Sequence, residues 1–424
     1  MVWGWDNARA FLGIALIFAL VWVFSENRKA FPWRIVLGAV GLQFAFAFVL
    51  YGIPVVNAIL LKANVVVELL TEATANGTGF VFGPVFGTIG GWDGLTGAGA
   101  IFAVHLLPLI IVVAALSAIL WHWRILRWVT QGFATVFRRA LGLSGETSLA
   151  VAANVFMGMT EAPVLVKPYI KNMSRTEIFI LMTAGFATVA GSVLVLYSAT
   201  LKDVLPNSLA QLLTASIMAA PAAVALAFVM VPETKTASAA PKAPDFGYQS
   251  TMDAFATGAS DGLKIVANIV TMLIAALAIL YLANAGLAAL PNVGGEPLSI
   301  ERILGWVFSP IMYMAGVPWE EATTSGSILG IKTVLTEFVA FDVLANVPAE
   351  DMSPRTFLIT AHAVCGFANI GSIGILIGGL SIIEPEKRDV FLSLAWKTLV
   401  AGSLATCLSG AVVGALPASL FLGS

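Results

Sequence analysis

Apolar segments of about 20 residues follow one another through most of this 424-residue chain, and that feature decides its solvent. Only 11% of the residues are charged and 59% are hydrophobic, whereas a water-soluble domain carries about a quarter charged residues. A helix satisfies its own backbone hydrogen bonds in lipid, so the expected class is an all-α polytopic membrane protein. Ala8 to Phe24 is followed by Glu26-Asn27-Arg28-Lys29 rather than a cleavage motif, and reads as the first span. Cys365 and Cys407 both sit in apolar sequence, which indicates neither a disulfide framework nor a thiolate metal site. With a net charge of −2 and no long basic tract, a nucleic acid polymer is not an expected partner. His105, His122 and His362 are widely spaced and no nucleophile pattern joins them, so no enzyme is expected.

Polar groups interrupt this apolar sequence twice in the same way. Asn154 to Glu161 reads Asn-Val-Phe-Met-Gly-Met-Thr-Glu, and Leu335-Thr336-Glu337 repeats its end. Each Thr-Glu pair is followed by an apolar segment with a Gly-Phe-Ala-polar motif, Gly185-Phe186-Ala187-Thr188 and then Gly366-Phe367-Ala368-Asn369, 24 and 29 residues after the acid. An acid also precedes each copy, Glu146 by 15 residues and Glu321 by 16. We read an internal duplication that builds one central site from two halves. Carboxylates at bilayer depth normally face a cavity or a partner, which makes Glu161 and Glu337 the first candidate solute contacts. Asn154, Thr188, Asn369 and Ser372 add neutral donors and acceptors. The Asn154 to Gly158 region beside Thr188 and Val189 could hold a bare cation on freed backbone oxygens, and a proton on Glu161 would use much the same polar inventory.

Basic loops orient the segments. Three positive charges in Asn27 to Arg34 argue for a cytoplasmic loop and an outward N-terminus. Residues 56–98 are expected to form an interfacial helix and a glycine-rich excursion with no uninterrupted span, and 100–120 a third span. Residues 124–143 read as an amphipathic helix on the inner surface. Basic residues flank both ends of 146–170, so it is expected to enter and leave from the same side as a re-entrant hairpin. Spans at 177–198 and 209–231 follow. A second hairpin within 301–345 is expected to open outward, between spans at 262–284, 357–381 and 391–421. The expected architecture is inverted repeats with two opposed re-entrant hairpins and broken transmembrane helices. Residues 1–98 would be scaffold, 99–235 and 258–424 the two transport repeats, and 236–257 a cytoplasmic linker. Both termini are expected outside, in a cell inner membrane.

Gly158-Met159-Thr160-Glu161-Ala162-Pro163, Thr336-Glu337-Phe338 and Cys365-Gly366-Phe367-Ala368-Asn369-Ile370-Gly371-Ser372 closely resemble the concentrative nucleoside transporter family in its bacterial, eight-span form, over nearly the whole chain. The resemblance implies a homotrimer that imports nucleosides on a cation gradient, moving a core that contains the hairpins against a trimerisation scaffold. It implies nucleobase contacts at Gly158, Met159, Thr160, Glu161 and Val193, and ribose contacts at Glu337, Asn369 and Ser372. It implies a sodium site at Asn154, Met157, Thr188 and Val189, through backbone oxygens at Met157 and Val189, and no organic cofactor. Met159 departs from the glutamine common in the family and lacks both amide functions, which changes how a base is read. Sodium-driven import is therefore the expected function, with proton-coupled import and a downhill channel as alternatives.

Overall fold

The computed structural model describes residues 4–82, 103, 106–205, 207–232, 247–417 and 419–422. The glycine-rich stretch beyond 82 and residues 236–246 of the linker expected at 236–257 lie outside the described residues. The chain is helical throughout its description. In order, α1 is Trp5–Val23, α2 Trp33–Gly52, α3 Pro54–Phe82, α4 Pro108–His122, α5 Ile125–Leu141, α6 Gly145–Asn154, α7 Ala162–Ile170, α8 Arg175–Ala187 and α9 Gly191–Leu201. Then come α10 Ser208–Met230, α11 Thr251–Ala288, α12 Ile300–Met314, α13 Trp319–Val334, α14 Glu337–Ala345, α15 Pro354–Val364, α16 Ile370–Ile383, α17 Arg388–Ala415 and the short α18 Ser419–Leu422. Among the described residues six stretches are long and apolar enough to cross a membrane, or seven if α4 and α5, bent by 77°, count as one.

Two differences from the expected segments have plain causes. Residues 54–82 form one continuous 29-residue helix. Lys62, Glu68 and Glu72 lower its suitability for the bilayer core but leave its backbone hydrogen bonds intact, so a test of apolar length underestimates the helix. The excursion 301–345 contains three helices, because a left-handed turn at Gly316, with φ +104°, folds α12 back against α13.

Small residues determine what packs in the centre. Helix α10, rich in alanine, is buried on nearly every side by α2, α8 and α17. In lipid, close helix association depends on small side chains rather than on a hydrophobic drive. Helix α11 instead lies largely exposed and packs on α4, where Gly258 and Gly262 admit the α4 backbone.

Four breaks interrupt the buried helices: 155–161 between α6 and α7, 188–190 between α8 and α9, 335–336 between α13 and α14, and 365–369 between α15 and α16. The two Gly-Phe-Ala motifs cross at two of them. A Cβ on Gly366 would lie 2.8 Å from the Ala187 oxygen and 2.9 Å from the Phe186 oxygen, so only glycine permits the approach.

Outside the core, Glu26 ties three segments together. It accepts hydrogen bonds from Arg175 at 3.0 Å and from Lys397 at 2.7 Å, while its own N–H donates to the Met230 oxygen. Burial pushes its carboxyl upward, but the two cations win and hold it below the usual carboxylate value. A lowered folded pKa means stability present at neutral pH that is lost as pH falls through that value. Thermal unfolding in detergent should therefore show Glu26→Gln less stable than wild type at pH 7, with the gap closing below about pH 4. A second test addresses the α4–α11 contact, where a Cβ on Gly258 would come within 2.7 Å of Ala118 Cβ. Gly258→Val should destabilise the protein by about 1–3 kcal/mol, whereas Gly286→Ala, with open space around it, should not.

Candidate functional site

The breaks leave free helix ends inside the protein, and the pocket forms where those ends meet. Helix α7 begins just after Glu161, α14 at Glu337 and α16 just after Asn369. Backbone N–H groups at such N-termini favour negative charge, which helps to explain why both carboxylates sit there. Thr336 Oγ1 accepts from the Val339 N–H at 3.3 Å and Asn369 Oδ1 from the Ser372 N–H at 2.8 Å, so side chains cap two of these ends.

Between them lies a cavity of about 900 Å³, counting its open mouth. The structure brings Gly158, Met159, Thr160, Glu161, Val193, Glu337, Asn369 and Ser372 to this one space. Glu337 is only 6% exposed. Its Oε1 accepts from the Tyr197 hydroxyl at 2.7 Å and its Oε2 from Asn369 Nδ2 at 3.0 Å. Glu161 accepts from the Gly158 N–H at 3.1 Å. Among the described residues neither carboxylate forms an ion pair. An ionised carboxylate only accepts hydrogen bonds, so the two acids fit a solute that presents hydroxyl or N–H donors near each end. Met159, Val193, Ile269, Phe338 and Phe367 line the remaining wall, giving the mostly apolar cleft with few polar anchors that typifies a small-molecule site.

Asn154, Thr188 and Val189 lie together just behind the pocket. Thr188 Oγ1 is 2.7 Å from the Asn154 oxygen and 2.8 Å from that of Ala184, and Ser216 Oγ links the Val189 N–H to the Val155 oxygen. Asn154 Nδ2 donates to Ala150, while Asn154 Oδ1 is buried without a partner. That free acceptor suits a cation or a donor. Met157 packs with Trp121, Ala153, Ala162 and Leu165. Glu146 and Glu321 do not line the cavity, and Glu321 accepts from Ser353 instead.

Sequence reasoning missed Tyr197, Phe338, Phe367 and the face of α11 carrying Ile265, Asn268, Ile269 and Met272. Tyr197 stands one helical turn beyond Val193, so its i, i+4 spacing was an available signal. The α11 face had none, since it joins the cavity only through tertiary packing.

Comparisons with known proteins agree along the whole chain. Residues 211–414 match the family described as Na+ dependent nucleoside transporter C-terminus, residues 12–85 its N-terminus, and residues 103–204 a family described as nucleoside recognition. The chain is 37% identical over 410 residues to the Bacillus subtilis protein called uncharacterized transporter YutK, covering 95% of this chain and 98% of that one. It is 33% identical to the nucleoside permease NupC of Helicobacter pylori, covering 97% of each. Among solved structures it resembles CNTnw in an inward-facing substrate-bound state, with TM-score 0.87, 34% identity and coverage of 98% of this chain and 99% of the other. It also resembles CNTnw in an intermediate state, with TM-score 0.88, 34% identity and coverage of 98% and 100%.

The exposure pattern can be tested by thiol labelling. Thr160 is exposed at the cavity mouth, whereas Cys365 and Cys407 are buried. A water-soluble maleimide should modify the Thr160→Cys variant and leave wild type unlabelled in its native state.

Proposed function

The chain belongs to the concentrative nucleoside transporter family, and we propose from that premise that it imports nucleosides by alternating access, driven by a cation gradient. The single observation that carries this reading is the cavity with a carboxylate at each of two facing helix N-termini. Glu337 and Asn369, already joined by a hydrogen bond, hold the ribose hydroxyls together with Ser372. Gly158, Met159, Thr160, Glu161 and Val193 form the base end, where Glu161 accepts from a base N–H and Met159 contributes dispersion.

Either of two sites can supply the coupling ion. The pocket carboxylates lie where the solute binds and have no basic residue in contact among those described, so a proton on Glu161 could travel with the solute and needs no further site. A sodium ion at Asn154, Met157, Thr188 and Val189 is supported by the free Asn154 Oδ1 and by relatives such as the rat sodium/nucleoside cotransporter 1, 33% identical over 96% of this chain and 63% of that one. Sodium needs several oxygens, whereas a protonatable carboxylate already lines the solute pocket, so we place the proton first and sodium second. The driving force is alike for both. One inward charge at 100 mV supplies about 2.3 kcal/mol and a tenfold gradient about 1.4 kcal/mol, enough for roughly five-hundredfold accumulation.

The same proposal takes α6–α7 and α13–α14 as opposed re-entrant hairpins of inverted repeats, in a homotrimer of a cell inner membrane with both termini outside. We keep the repeats at 99–235 and 258–424 as part of this proposal, with α4 and α11 inside them lent to the frame. The frame is drawn from α4 and α11 rather than from all of 1–98, because α1 and α2 pack on α10 and α17 and would move with the core.

Uptake of radiolabelled uridine into proteoliposomes, under separately imposed proton and sodium gradients, tests the coupling. Accumulation should follow the pH gradient. Accumulation that follows sodium alone would reverse our order of ions, and purely downhill flux would make the protein a channel. Glu337→Gln should weaken uridine binding by about ten- to a hundredfold, and Met159→Gln should change the order in which purine and pyrimidine nucleosides compete.

A further inference from the structure

Lys332 has no part in the function proposed so far, yet its placement is costly. Its side chain is completely buried, among the largest in the protein to be so. An ammonium has three donors to satisfy, and Lys332 Nζ has one hydrogen bond, to Thr406 Oγ1 at 3.3 Å. It forms no ion pair among the described residues. A lysine in the last turn of α13 complements the helix dipole, but a lysine serving only that end could run its stem outward to water. This one is held inside, against α17.

The next break explains the cost. Helix α13 ends at Val334 and α14 begins at Glu337, five residues beyond the lysine. The Glu337 carboxylate is itself buried and is met by two neutral donors, Tyr197 and Asn369, with no cation of the described residues touching it. Lys332 and Glu337 flank the same two-residue break and both side chains are buried, and in so dry a region charges on such close segments are screened far less than at a surface. The first half of the chain is built differently. The residue five before Glu161 is Phe156, and an acceptor, Asn154 Oδ1, is left unpaired there.

We propose that Lys332 is a tethered cation that compensates the charge of Glu337 from behind the pocket, and so is a positioning residue for recognition of the sugar hydroxyls. It touches no solute. The inference rests on the reading of Glu337 as the ribose contact. In consequence the second break carries its own positive charge, whereas the first has a free oxygen that can take a mobile ion.

The test measures binding of uridine and of 2′,3′-dideoxyuridine to the purified full-length protein, for wild type, Lys332→Met, Lys332→Arg, Glu337→Gln and the double variant Lys332→Met/Glu337→Gln. If Lys332 compensates Glu337, Lys332→Met weakens uridine binding by about tenfold or more, changes dideoxyuridine binding by less than about twofold, and is largely rescued by Lys332→Arg. The double variant then binds uridine no worse than Glu337→Gln alone, because the charge to be compensated is gone. Should Lys332→Met fail to fold, restored folding in the double variant supports the pairing and continued failure overturns it. Equal losses for both nucleosides in Lys332→Met, or a double variant whose loss is the product of the two single losses, would overturn the proposal while leaving Glu337 in place. Unchanged uridine binding in Glu337→Gln would remove the ribose reading, and this inference with it.

Discussion

Backbone groups left unpaired at membrane depth are the constraint on which this structure depends. Each break in a buried helix frees N–H and carbonyl groups that have no water to turn to. The protein satisfies many of them from a neighbouring break or side chain. The Gly191 N–H reaches the Phe156 oxygen at 2.9 Å, joining the break before α9 to the break before α7. The Val189 N–H takes the Ser216 hydroxyl, and Thr336 and Asn369 cap the helices that follow them. The interruptions therefore cluster, because each lends the others partners that lipid lacks.

Clustered breaks also make a binding site. Helix N-termini that converge in a protein-lined space offer fixed positive dipole ends without the rearrangement that free water requires. Carboxylates placed there are tolerated, and in turn they require donors. Glu337 receives two from the protein, and it lines a mostly apolar cavity in which it is one of few polar anchors. The electrostatics of the fold and the chemistry of recognition thus have a common origin in the discontinuous helices.

Much of this was legible in the chain. The apolar segments, the amphipathic α5 and the interruptions around Glu161 and Glu337 could be located by length, period and charge, since lipid penalises every exception. Less legible was the extent of α3, whose charged residues hide a continuous helix, and the three-helix form of 300–345, which turns on the backbone of Gly316. Lys332 could be seen as a charge in an apolar stretch, but nothing in its neighbours said that its side chain points inward.

What the sequence determined by itself was a helical membrane protein with two related polar interruptions, because those properties follow from local composition and from the cost of burying charge. Tertiary structure decided which interruptions meet. The crossing at Gly366, the bond from Tyr197 to Glu337 across 140 residues, and the α11 wall of the cavity depend on how separate helices pack. That packing is set by small-residue contacts between distant segments, and no local pattern in the chain encodes their pairing.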